Sequence, residues 1–434
     1  NGSVLLPANG VDNNTNFTGD SMWSILPPDS FSDEELANYS AEYSVNECFD
    51  ENCLINDDNI KKVFMFVNVD WFFLSHRLPI AKAALKNDIE MVVYTDFTQD
   101  HGAASSEGFL LRQSSLRRVS KSLIHLMIEV FSSFLIIIKG RPDLIHAVTI
   151  KPILILGVIA RLTSTPFVGA ISGLGPAFVA DSWLSKLRLK IVVSVFKFVF
   201  RSSKASAICQ SASDRDTLIS VGVTSTEKVV LINGSGVDVD LYSPNKKLVD
   251  CDPYVLMASR MLGDKGVREF CLAAKIVNER LGDRFRFKLS GPVDGESPTF
   301  ISNFDLKKLC KETGVEYLGN RSDMPELIAS ATIFVLPSYY AEGVPKVLLE
   351  ASACGVAIVT TDHPGCRDAI VSDQTGILVK PRDSVDLAEA MLQLLEDDEK
   401  LRKMGENGRK LALSFYRDTE VVKQHYALYR YHLT

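Results

Sequence analysis

From Lys61 onward the chain alternates short apolar runs with helical stretches, and it does so twice. The first series places strands at 62–68, 90–95, 144–148, 167–170, 205–210 and 228–232. Between them run a loop at 69–75, a polar loop at 100–106, and helices at 76–87, 116–139, 151–162, 183–202 and 214–221. Turn residues from Asn233 to Asn245 (NGSGVDVDLYSPN) break the pattern and mark a hinge. The second series has strands at 254–258, 284–289, 315–318, 332–336 and 357–361. Its helices lie at 267–280, 304–312 and 324–330, with one more that opens near Pro345 and ends at Gly355. Helices at 385–396, 399–414 and 419–431 close the chain. Short strands that are apolar throughout, alternating with helices, dictate parallel sheets covered on both faces. The expected fold class is therefore α/β, with two doubly wound Rossmann-like domains facing across a cleft, at 60–245 and 246–414. A terminal helix at 415–434 is expected to cross back to the first domain. In such sheets ligands bind at the carboxyl ends of the strands.

Charge divides the chain differently. Residues 1–60 hold no Lys or Arg and twelve Asp or Glu, so the rest carries 47 − 42 = +5 against a whole-chain charge of −7. The segment 1–59 reads as an acidic, solvated, disordered tail, and the folded body as mildly basic, which suits anionic ligands or surfaces. The eight cysteines form no CxxC pair, and Cys209, Cys271 and Cys354 sit in apolar segments, as in a reduced cytosolic protein. Cys48 and Cys53 are a weak candidate pair. No uninterrupted run of 18 apolar residues occurs and no signal-peptide pattern opens the sequence, so neither a spanning helix nor a leader is expected.

Two stretches carry chemistry. Ala341-Glu342-Gly343-Val344-Pro345-Lys346-Val347-Leu348-Leu349-Glu350 follows a strand and opens a helix. A proline fits the first turn of a helix, whose free N–H groups and partial positive charge attract anions. Glu342 stands just before that end, and Glu350 lies roughly 8 Å along the axis. Glu350 interrupts an apolar element, and a buried carboxylate needs a hydrogen-bond donor. A sugar diol beside a helix-bound phosphate would serve, and so would an ordinary N-terminal glutamate with a structural ion pair. In Ser259-Arg260-Met261-Leu262-Gly263-Asp264-Lys265-Gly266, Arg260 and Lys265 follow the first strand of the second series and reach the same sheet edge. Two cations beside a helix N-terminus suit a diphosphate. Asp238-Val239-Asp240 mimics a DxD metal motif but lies in the hinge, and no His/Cys cluster suggests a metal.

These motifs, with L-G-N at 318–320, Gly365 followed by D-A-I, and G-I-L-V at 376–379, resemble family-4 retaining glycosyltransferases of the GT-B fold. The first series agrees through V-N-V-D-W-F-F-L-S-H-R-L-P-I-A, P-D-L-I-H-A-V-T-I-K-P and I-S-G-L-G-P-A-F. The likeness covers residues 61–434 and points to the bacterial branch that assembles lipid-linked polysaccharide repeat units from UDP-sugars. It implies a metal-independent, cofactor-free transferase that moves a hexose or N-acetylhexosamine to a polyprenyl-diphosphate-linked saccharide. Arg260 and Lys265 would bind the donor diphosphate and Glu350 the ribose. Glu342 would hold the transferred sugar beside the N–H groups of Gly343 and Val344, and Asn320 and Arg321 would lie along the base. Retention in this family has no established enzymatic nucleophile. The departing UDP is thought to assist deprotonation of the acceptor. The chain departs from the wider family at Asp70-Trp71-Phe72-Phe73, where many members have a Gly-Gly loop, and at Val148, where other branches have a histidine. His146 is nonetheless a catalytic candidate, with a structural strand-end histidine as the alternative. Lys151 is similar. Trp183 to Lys204 mixes aromatic, aliphatic and basic residues, which suits either an interfacial helix on anionic lipid or a core helix with a basic face. The stretch 116–139 poses the same question. The expected location is cytoplasmic, at the inner face of the cell membrane, with no nucleic acid partner. Other enzymes on this fold (a nucleotide-sugar epimerase or a phosphorylase) and a non-catalytic scaffold are the alternatives.

Overall fold

The computed structural model describes residues 60–98, 109–116, 122–175, 178, 182–244, 252–295 and 297–434. The acidic segment 1–59, with Cys48 and Cys53, the polar loop at 100–106 and Asn245 of the hinge lie outside the described residues. The described residues fall into two compact units. One runs to Ser235 and takes in Asp418–Thr434, and the other is Gly236–Arg417.

The first unit is built on a seven-stranded parallel sheet of β1 (Lys61–Phe66), β2 (Ile89–Thr95), β3 (Leu110–Gln113), β4 (Leu144–Val148), β5 (Phe167–Ile171), β6 (Ala205–Cys209) and β7 (Val229–Leu231). The order is β3-β2-β1-β4-β5-β6-β7. Strands β4, β5, β6 and β7 are buried at every residue, which is why they read as continuous apolar runs. Helices α1 (Asp70–His76), α2 (Leu78–Ala84), α3 (Leu123–Gly140), α4 (Ile150–Thr163), α5 (Trp183–Phe200) and α6 (Ala212–Ser220) connect them. The last helix of the chain, Asp418–Leu433, belongs to this unit and packs on α2 and β4. Tyr426 there donates to Ile80 O at 2.8 Å.

Three local expectations are corrected. Within the expected loop 69–75 a helix starts at Asp70, whose buried carboxylate accepts from Trp71 N at 2.7 Å and Thr98 Oγ1 at 2.6 Å. That second partner is 28 residues away, and consecutive Trp71, Phe72 and Phe73 show no helical period. The third helix begins at Leu123 rather than 116, after Ser122 accepts the His125 N–H as its N-cap. Ahead of it, Leu110–Gln113 forms the edge strand β3, largely exposed and so without an alternating pattern.

The second unit holds β8 (Tyr254–Ala258), β9 (Arg286–Ser290), β10 (Val315–Tyr317), β11 (Ile333–Leu336), β12 (Ala357–Thr361) and β13 (Gly376–Val379). They form a parallel sheet in the order β10-β9-β8-β11-β12-β13. Its helices are α7 (Val267–Leu281), α8 (Asn303–Thr313), α9 (Met324–Ala329), α10 (Lys346–Ala353), α11 (Ser384–Leu395) and α12 (Asp398–Phe415). The helix Asp418–Leu433 is then α13. The edge strand β13 coincides with the G-I-L-V motif, which the strand pattern alone did not mark. Sequence order reverses between β8 and β11: the chain leaves β8 toward β9 and β10, then returns to β8's other side. A crevice opens at such a switch point, outside the carboxyl ends of the strands.

Candidate active site

Four loops leave the carboxyl edge of the second sheet: 259–266 after β8, 291–295 after β9, 337–345 after β11 and 362–369 after β12. Backbone contacts lock them together. Tyr339 N donates to Asp264 O at 2.9 Å, and Tyr339 Oη donates to Gly263 O at 2.8 Å. Gly266, at φ +80°, ends the first loop so close to Pro337 that a Cβ would lie 2.2 Å from its carbonyl oxygen. At Gly365 (φ +83°) a Cβ would lie 2.5 Å from Gly343 O, so only glycine admits this approach of the fourth loop to the third.

This frame brings together the residues expected to meet the donor. Lys265 is nearly buried and its Nζ is paired with Glu342 Oε1. Arg260 Nη1 donates to Asp294 Oδ2 at 2.7 Å. Both cations lie over the ring of Tyr340, with Arg260 Cζ 5.7 Å and Lys265 Nζ 5.2 Å from its centroid. Gly343 and Val344 are buried and lead into α10. Pro345, at φ −65° and ψ 120°, is the N-cap rather than a residue of the first turn, and no side chain caps the helix. The N–H groups of its first turn are therefore left for other acceptors, except that Leu348 N donates to Pro345 O.

Glu350 sits inside α10 with its side chain 13% exposed, 4.0 Å from Lys346 Nζ. Burial raises its carboxyl above the usual carboxylate range, while Lys346 and a hydrogen bond from the Tyr242 hydroxyl oppose the rise. The Tyr242 phenol is itself pushed up, first by burial and then by that carboxylate. Tyr242 comes from the turn expected to be a hinge. Asp238 Oδ1 accepts there from Asp240 N at 3.0 Å and Leu241 N at 2.9 Å, so the DxD look-alike builds an Asx turn. Arg409 Nη1 clamps the turn to the end of α10, donating to Val239 O at 3.0 Å, Tyr242 O at 2.9 Å and Ala353 O at 2.6 Å.

Other expected residues stand differently. Asn320 and Arg321 are exposed in the loop after β10, and Arg321 forks onto Asp323 at 2.8 and 2.5 Å. His146 lies within β4 of the first unit at 0% exposure, its Nδ1 2.5 Å from Tyr429 Oη of α13. Burial, then His425 and Arg77, push its pKa well below the usual histidine value. A ring so enclosed has no face for a substrate, and the geometry is that of the structural alternative. Lys151 pairs with the buried Glu129 of α3 at 2.7 Å, a contact between helices. Sequence reasoning did not find Asp294, Tyr340, Tyr242 or His363. The His363 pKa is lowered chiefly by burial and raised by Glu342 among its neighbours. A shared position after a strand was the one signal that could have flagged Asp294 and His363.

Residues 238–411 match the family model described as glycosyl transferases group 1, and residues 62–211 match glycosyl transferase 4-like. The chain is 32% identical over 268 residues to the N,N'-diacetylbacillosaminyl-diphospho-undecaprenol alpha-1,3-N-acetylgalactosaminyltransferase of Campylobacter jejuni, covering 59% of this chain and 68% of that protein. It is 26% identical to the UDP-Gal:alpha-D-GlcNAc-diphosphoundecaprenol alpha-1,3-galactosyltransferase of Escherichia coli, covering 73% of this chain and 80% of that protein. The crystal structure of HepE from Anabaena, in complex with UDP and glucose, aligns with TM-score 0.68 at 20% identity, covering 86% of this chain and 99% of that one. By these matches the chain belongs to the group 1 and 4-like glycosyltransferases, and it is a glycosyltransferase of the GT-B fold.

Proposed function

We propose that the enzyme moves a hexose or N-acetylhexosamine, with retention and without a metal, from a UDP-sugar to a polyprenyl-diphosphate-linked saccharide in surface polysaccharide assembly. The observation that carries this reading is the convergence of Arg260, Lys265, Glu342 and the uncapped α10 N-terminus at the switch point between β8 and β11. The activities for which the Campylobacter and Escherichia relatives are named support the acceptor class, and the second supports UDP. In this reading Arg260, Lys265 and the α10 N–H groups stabilise charge growing on the departing diphosphate. Glu342, with the backbone at Gly343 and Val344, orients the moving sugar, and Glu350 accepts from the ribose. Asn320 and Arg321 flank the base, and the first unit binds the acceptor.

The test is transfer from a panel of UDP-sugars to lipid-linked acceptors in EDTA, read as a lengthened saccharide plus UDP. Wild-type protein that binds UDP yet gives no more product than Glu342→Ala across the panel defeats the proposal.

Membrane contact belongs to the same reading, at the cytoplasmic face, and α3 supports it more strongly than α5. The α3 helix is long and apolar enough to cross a bilayer by length and composition, unlike the expectation from uninterrupted runs. Its inward seam is Glu129, Ser133 and Ile137, while Leu123, Ile124, Met127, Ile128 and Phe131 point out, each more than half exposed. That inverts the pattern of a helix facing water. The α5 helix, which packs on α4 as α3 does, carries no acid and exposes Trp183 and Leu184 among Lys186 and Lys190, which suits an anionic lipid surface. Flotation with anionic vesicles that is lost in Met127→Asp/Phe131→Asp is the expected result. Binding to neither anionic nor neutral vesicles, or a dimer broken by the same change, removes the contact.

A further inference from the structure

Both cations of the site are paired with carboxylates from the site itself. Arg260 faces Asp294, and Lys265 faces Glu342. All four side chains are at most a quarter exposed, so neither charge is well screened by water. The pairs arise from different loops. Asp294 is on the loop after β9, Arg260 and Lys265 are on the loop after β8, and Glu342 is on the loop after β11. Each cation also packs on the Tyr340 ring. A diphosphate arriving here meets two positive charges, but also two negative ones at hydrogen-bond range of the same donors.

We infer that Asp294 and Glu342 are the resident counter-ions of Arg260 and Lys265, and that the donor diphosphate must displace them. Asp294 then sets how tightly the diphosphate is held, and Glu342 turns to the sugar only after phosphate has taken Lys265. The inference rests on the donor-site reading above and adds two things to it. Asp294 becomes a specificity-determining residue that opposes diphosphate binding. Sugar recognition by Glu342 becomes conditional on the diphosphate, so a free sugar finds its carboxylate engaged. Lysine can make this exchange because its ammonium is a compact charge with three rotatable donors. Arg260 offers five donors and spends only Nη1 on Asp294. The guanidinium can therefore keep its place over Tyr340 while a phosphate competes for it.

The experiment is calorimetric titration of the full chain with uridine, UDP, GDP, ADP and inorganic pyrophosphate in EDTA, at low and high salt, with melting curves to verify folding. Asp294→Asn is expected to bind UDP about tenfold more tightly than wild type, a gap that salt narrows. Asp294→Glu should restore wild-type affinity, and uridine binding should be equal in all three. Glu342→Gln should also tighten UDP while losing transfer, so that affinity and activity move in opposite directions. Equal or weaker UDP binding by both Asp294→Asn and Glu342→Gln, where wild type binds UDP and Arg260→Ala weakens it, overturns the exchange and leaves the donor site standing. No binding of any nucleoside diphosphate or pyrophosphate by wild type overturns both.

Discussion

Each parallel sheet is flanked by a set of titratable residues, and their surroundings separate the two sets. In the first unit, His146 of β4, His425 and Tyr429 of α13, and Arg77 are all 1% exposed or less, gathered where α13 packs on the sheet. Burial opposes charge here: it holds His425 down to about 3, which leaves that ring neutral at pH 7, whereas Arg77, lowered only to about 10, stays charged. In the second unit, Arg260, Lys265, Asp294 and Glu342 face one another as ion pairs at the loop edge, each retaining some exposure. The first set is closed by a helix and serves packing. The second is framed by four loops, and its charges can exchange partners. A polar residue at a strand therefore carries little functional information until the element that covers it is known.

Breaking the open set should have the largest effect. Glu342→Ala is expected to lower kcat/KM for transfer by about 10²–10³, the usual scale for losing one group that orients and stabilises the reacting centre. Circular dichroism and melting temperature should barely move, and a comparable loss in His146→Gln per folded molecule would erase the contrast. Breaking the closed set should read out as stability instead. Tyr429→Ala removes a buried ring and the partner of His146, for about 3–5 kcal/mol. Denaturant titration measures it, and activity per folded molecule should hold.

Acid should also discriminate between the sets. His146, His425 and His432 have folded pKa values below the ordinary 6.5, with His432 at about 4 and His425 at about 3. As pH falls below 6.5 the unfolded chain binds protons that the folded one refuses. Their stabilising contribution is thus complete above 6.5 and is lost toward the folded values. The slope is about 1.4 kcal/mol per pH unit for each histidine. Urea midpoints at stepped pH check this, and His425→Phe should flatten the curve by one histidine's share. The smallest effect is expected at Tyr242→Phe. It deprives buried Glu350 of a hydrogen bond, for about 1 kcal/mol, and raises the KM for donor a few-fold with kcat held. Unchanged KM would mean that Tyr242 does not position Glu350 for the ribose.

Much of this was legible in the residue order, and the failures have physical reasons. Strands 144–148, 254–258 and 357–361 fall where the apolar runs put them, because buried parallel strands leave no other pattern. The edge strand β3 escaped because it is largely exposed and carries no continuous apolar run, and β13 because it is only four residues long. Helix α1 escaped because the Asp70 carboxylate at its start is held by the distant Thr98. The cations and carboxylates of the site were found from motif and position, but not their pairing with each other. Asp294 was missed because, beyond its position after a strand, nothing in one dimension relates the loop after β9 to the one after β8 that carries Arg260.

By itself, then, the sequence determined the two βα series, the charged loops at strand ends and the family they resemble. These depend on local period, turn chemistry and residue type, which are written consecutively along the chain. Tertiary structure alone decided which charged residues are sealed and which are open, that Lys265 meets Glu342 and Arg260 meets Asp294, and that α3 turns its apolar side outward. Burial and pairing are set by which elements stack on which. That depends on contacts between residues far apart in the chain, which a one-dimensional pattern does not encode.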